Sequence, residues 1–141
     1  MDALMGEMRV DALVGYSQAP KLRPLPGKAE RYQLMEPYWV QRANTPRFEI
    51  PAGYCFDGAS IPSVIGLTWA VTYSKFHPKV MRAALVHDWL CDERPAWSTS
   101  RVAADIFQQM LYEDGASHRK AALMVRAVRW FGPQWDKTDA Q

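Results

Sequence analysis

The residues with chemistry to offer are one histidine and three acids in otherwise apolar runs: Asp57, His87, Asp88 and Asp105. His87 and Asp88 sit inside Ala83-Ala84-Leu85-Val86-His87-Asp88-Trp89-Leu90-Cys91. Burying such a pair without partners is costly. On a helix, adjacent residues point about 100° apart, so the two side chains must serve different faces. If His87 meets Asp105, with Asp57 beside it, the carboxylate fixes the imidazole tautomer and raises its basicity. His87 is then a base able to take a proton from water. Asp88, with Asp57 or nearby carbonyl oxygens, suits a hard cation such as Ca²⁺. That cation would polarise an ester or amide carbonyl. The same four residues satisfy a second reading, a buried polar network that fixes packing and needs no cofactor.

Those side chains depend on the elements that carry them. Pro78 suits a first helical turn, and Val80, Ala84, His87 and Cys91 recur at helical spacing, so a buried helix is expected over residues 78–91. His77 reads as its start. After a polar loop at residues 92–97, Ser98 or Ser100 can cap a second helix over residues 99–112. Its apolar stripes, Val102, Ile106 and Met110 beside Ala103, Phe107 and Leu111, place Asp105 between apolar neighbours. Asp114-Gly115 ends it. Ser117 caps a third helix over residues 118–131, with Ala121, Met124, Val125 and Val128 inward and the basic stripe Arg119, Arg126 and Arg129 solvated or paired with acids. Gly132-Pro133 stops it.

Upstream the pattern turns to strands. Tyr32 to Val40 reads as one strand with Pro37 at a bulge or edge. Residues 42–46 form a turn. Arg47 to Phe56 reads as a second strand, with Phe48 and Ile50 on one face and a break at Pro51-Ala52-Gly53. Asp57-Gly58-Ala59-Ser60-Ile61-Pro62 makes a sharp corner, and residues 63–76 form an aromatic lip. The expected fold is α+β: a small antiparallel β-sheet packed on about three α-helices, a single domain over residues 31–133. Residues 1–30, with three prolines within Pro20 to Pro26, form an extended N-terminal arm held by the body or by a partner. Residues 134–141 form a polar tail.

Bulk properties narrow the function classes. With 141 residues, 48% of them hydrophobic and 23% charged, the chain suits one core. A net charge of +2 gives no strong pull toward nucleic acid or membrane. No apolar run reaches the roughly 18 residues of a membrane span, and the acidic first residues lack the pattern of a signal peptide. Cys55 and Cys91, in apolar surroundings, read as buried free thiols, with a disulfide as the alternative. There is no glycine-rich phosphate loop and no Cys/His cluster.

Two resemblances attach to these blocks. His87-Asp88 followed by Ala104-Asp105-Ile106-Phe107 is similar to the helix pair of secreted and parvoviral phospholipases A2. This chain has no glycine-rich calcium loop before the histidine, and Cys91 stands where those enzymes carry tyrosine. A broader resemblance covers Tyr32 to Pro133. The blocks Ile50-Pro51-Ala52-Gly53-Tyr54, Phe56 to Pro62, Ala84 to Leu90, Ser100-Arg101 with Ala104 to Phe107, and Val125 with Ala127 to Gly132 resemble, in order, the phage and prophage family of domain of unknown function 1353. That resemblance implies a bacteriophage origin and no established chemistry.

Two functions are therefore expected. One is a bacteriophage structural protein of the tail, baseplate or neck, assembled into the virion in the host cytoplasm. It would grip other virion proteins through residues 1–30 and 63–76 and bind no nucleic acid. The alternative is a metal-assisted hydrolase, acting on lipid or cell wall, with His87, Asp105 and Asp57 as its catalytic set and Asp88 with Asp57 holding the metal. A host-interaction protein of early infection is a third reading.

Overall fold

A computed structural model of the chain describes residues 19–27, 30–43, 45–57 and 76–136. The expectations for residues 1–18, 58–62 and 63–75 lie outside the described residues. The chain divides into two compact units, Met1–Asp57 and Gly58–Gln141. The described elements are strands β1 (Leu22–Pro24), β2 (Tyr32–Leu34), β3 (Tyr38–Val40), β4 (Phe48–Ile50) and β5 (Cys55–Phe56), then helices α1 (Pro78–Glu93), α2 (Ser100–Glu113) and α3 (His118–Phe131). The fold is α+β, with small antiparallel sheets and, among the described residues, three helices.

In the first unit, what reads as one strand from Tyr32 to Val40 is two strands in two sheets. β2 lies at the centre of a three-stranded sheet ordered β1-β2-β5, and β3 pairs with β4 alone. Pro37, which lacks an N–H, marks the switch between them. In the β3–β4 ribbon, Tyr38 faces Ile50 and Val40 faces Phe48. All four are buried, while Trp39 and Glu49 share the opposite, more open face. The two-residue period of a strand produces this division. Pro51, Ala52 and Gly53 then turn the chain out of β4, with Gly53 at φ 91°, a backbone state that glycine adopts without a Cβ clash. Gly53 N–H donates to Leu34 C=O at 2.7 Å and Leu34 N–H donates to Tyr54 C=O at 2.8 Å, so β5 lands on β2. Cys55, expected to be buried, is exposed there, and both cysteines are free thiols.

The proline-rich segment is held by its own chain. Leu22 pairs with Leu34, Arg23 with Gln33 and Pro24 with Tyr32. Met35 N–H donates to Lys21 C=O at 2.8 Å, Leu25 N–H to Arg31 C=O at 2.9 Å, and Arg23 Nε to Gln33 Oε1 at 2.9 Å. A proline is tolerated in β1 because an edge strand leaves one side without ladder bonds.

In the second unit, α2 is the middle helix, packed against α1 on one side and α3 on the other. His77 Nδ1 accepts from Lys79 N–H at 3.1 Å at the start of α1, with Pro78 at the first helical position. Helix α1 continues to Glu93, past the expected end at Cys91. It stops at Arg94, whose left-handed φ of 47° turns the chain and whose N–H returns to Leu90 C=O. Ala83 to Asp88 are all buried, as a helix apolar around its circumference must be. The cap of α2 is Thr99, where Ser98 or Ser100 was expected: its Oγ1 accepts from Val102 N–H at 3.1 Å. Ser117 caps α3 as expected, accepting from Lys120 N–H. Between α1 and the end of α2, buried Arg82 donates to Asp114 at 3.0 Å and to Glu113 at 3.3 Å, which gives a buried guanidinium the partners it needs.

The polar tail is anchored at its second residue. Trp135 is 4% exposed. Its Nε1–H donates to Ser98 C=O at 3.1 Å, and its own C=O accepts from Ser100 N–H at 2.9 Å. Ser100 is the first residue of α2, so Trp135 satisfies one of the amides a helix start leaves open. The Arg94 guanidinium lies 4.9 Å over its ring. Trp135→Phe keeps most of the burial but strands the Ser98 carbonyl. It is expected to cost about 1–2 kcal/mol in urea unfolding, and an unchanged midpoint would refute the role given to the indole N–H.

Candidate functional site

His87 projects from α1 into the packing between α1 and α2. Its ring centroid lies 5.3 Å from that of Phe107, the planes tilted by 51°. Cys91, one turn on, places Sγ 3.7 Å from Nδ1 and 3.9 Å from Nε2. These are sulfur contacts, weak beside a hydrogen bond to oxygen. Only 2% of His87 is exposed. Burial lowers its pKa from 6.5 to about 4, because a desolvated imidazolium is disfavoured. The shift comes from desolvation.

Asp105 is engaged elsewhere. It forms an ion pair with Arg129 of α3, both side chains about half exposed. Residues 105 and 107 are two apart, hence roughly 200° apart around α2. The rotation that lays Phe107 on His87 turns Asp105 away toward α3. Where a meeting of His87 and Asp105 is expected, the structure lays His87 against Phe107 and pairs Asp105 with Arg129. Asp88 is buried on α1 at 5% exposure. Asp57 is half-buried after β5 and ends the first unit. Its place beside His87 or Asp88 rests on the sequence alone. Among the described residues, no group of three or more His, Cys, Asp or Glu side chains is placed to hold a metal ion.

An open groove lies on the Asp105 side. Its volume is about 470 Å³, and it is lined by Ser100, Arg101 and Asp105 of α2 with Arg129, Trp130 and Gln134. Gln134 Nε2 donates to Arg129 C=O at 2.7 Å and to Gly132 C=O at 3.0 Å, which holds the chain after α3 against the groove. Trp130 and Phe131 are 73% and 68% exposed. Sequence spacing names Asp105 and Arg129 separately but does not join them, since their pairing depends on the rotation of two helices. The one signal for the groove was a Trp-Phe pair at a helix end, where two adjacent residues cannot both face a core.

The fold and these side chains define a small α+β protein with a buried, weakly basic histidine in its helical unit and an open, mixed-polarity groove on the Asp105 side. The chain belongs to the family described as protein of unknown function (DUF1353), which residues 32–128 match. It is similar to uncharacterized protein y4jT of Sinorhizobium fredii (strain NBRC 101917 / NGR234), 28% identical over 107 residues, 74% of this chain and 30% of that protein. It is also similar to uncharacterized protein y4iH of the same strain, 35% identical over 83 residues, 56% of this chain and 31% of that protein. The matches thus cover about a third of the length of these curated relatives. No solved structure matches the chain.

Proposed function

We propose that this chain is a structural component of a bacteriophage or prophage particle, a tail, baseplate or neck protein assembled in the host cytoplasm. The observation that supports it is the proline-rich segment built into the sheet as β1, an edge strand among the described residues. An edge strand carries unpaired backbone groups on its outer side, a surface that another chain can extend. In the same unit Met35 and Trp39 are exposed, and tryptophan is enriched among residues that dominate interface energies. The phage setting comes from the resemblance carried by residues 32–133.

The competing proposal is a metal-assisted hydrolase, phospholipase A2-like or cell-wall-directed. It needs an accessible imidazole backed by a carboxylate, and His87 is buried and weakly basic while Asp105 is engaged by Arg129.

The test is particle composition. Virions purified from a strain producing the full chain are expected to contain it in fixed stoichiometry. Trp39→Ala is expected to cut incorporation roughly tenfold or more. Absence of the chain from purified particles would sink the proposal.

A further inference from the structure

We propose that the groove between the start of α2 and the end of α3 binds a saccharide that carries a carboxylate. Its volume of about 470 Å³ falls within the range of small-ligand clefts, roughly 300–1,000 Å³. Four side chains set the chemistry of the ligand.

Trp130 is 73% exposed at the groove, and among the described residues its indole has no ring or hydrogen-bond partner. An uncovered indole face is a platform for a flat, weakly polar surface, such as the C–H face of a pyranose ring. Asp105 and Arg129 form a half-exposed ion pair in the wall. Such a pair adds little to stability, so it can open toward a ligand at small cost. Side by side they offer an acceptor and several fixed donors, the mixture that neighbouring hydroxyls require. Arg101 is exposed, and its guanidinium has no partner among the described residues. Its planar fork matches a carboxylate with two parallel hydrogen bonds. Two guanidiniums against one carboxylate leave the groove net positive.

A polynucleotide could stack on the same indole and meet the same guanidinium. A net charge of +2, however, gives no long-range attraction for a polyanion. Sugar hydroxyls use Asp105 as an acceptor. This inference stands apart from the virion proposal, which rests on β1 and the first unit, so either can fail alone.

The test applies the full chain to an array of uronate-containing, sialylated and neutral oligosaccharides, with a short oligothymidylate as the polyanion control. Isothermal titration then measures the strongest binder. An acidic oligosaccharide is expected to bind about tenfold tighter than its neutral counterpart. Trp130→Ala and Arg101→Ala are each expected to weaken it by about tenfold or more, with thermal unfolding unchanged because both side chains are exposed. Silence across the acidic sugars, equal affinity for neutral ones, preference for oligothymidylate, or binding that survives both variants would each overturn the assignment.

Discussion

Acidification from about pH 7 to about pH 4 is expected to remove roughly 3 kcal/mol of stability through His87 alone. The folded protein holds this imidazole neutral down to about pH 4, whereas an unfolded chain protonates it near 6.5. Between those values the unfolded state binds the extra proton, so stability falls as pH falls. The contribution is whole above about 6.5 and gone below about 4. Its size follows from that gap at about 1.4 kcal/mol for each tenfold change in proton affinity. Urea midpoints across this range, compared with those of His87→Gln, isolate the effect, because carboxylates elsewhere act equally in both proteins. Parallel pH profiles would contradict a dry imidazole, as would a histidine ring titrating near 6.5 by NMR.

The second large effect is expected from Phe107→Ala, at about 3–5 kcal/mol. Phe107 is fully buried, and its ring is the surface against which His87 rests. Truncation removes apolar contact and leaves a void where α1 and α2 meet. The void also adjoins a polar ring, so water can enter it. His87 should then titrate closer to its ordinary value, and the acid sensitivity of the variant should shrink. Stability loss and a raised histidine pKa are therefore expected together. A loss below about 1 kcal/mol, or an unmoved histidine, would show that the two rings do not depend on each other.

The helices were legible because their signals are local. His77-Pro78, Ser117 and Asp114-Gly115 punctuate the chain within a turn of where the helices begin and end. The end of α1 was misplaced by two residues because Arg94, a non-glycine residue, takes the left-handed turn. The strands were harder. Tyr32 to Val40 alternates well enough for one strand, and only tertiary pairing sends β2 and β3 to different sheets. The candidate site was less legible for a geometric reason. A histidine, an aspartate and two helices allow a pairing of His87 with Asp105, but the choice between Asp105 and Phe107 as its neighbour is a half-turn of α2. Apolar stripes on opposite sides of that helix left both rotations open. Arg129 decided the matter, and it lies 24 positions away from Asp105.

The clasp made by Trp135 ties the start of the middle helix to a distant part of the chain. Thr99 caps α2 locally, but the Ser100 amide is met by a carbonyl 35 residues later, and the Ser98 carbonyl by the indole of the same residue. The entry of α2 is therefore fully satisfied only once the segment after α3 has docked. A proteolytic nick between Gly132 and Gln134 would release both bonds at once.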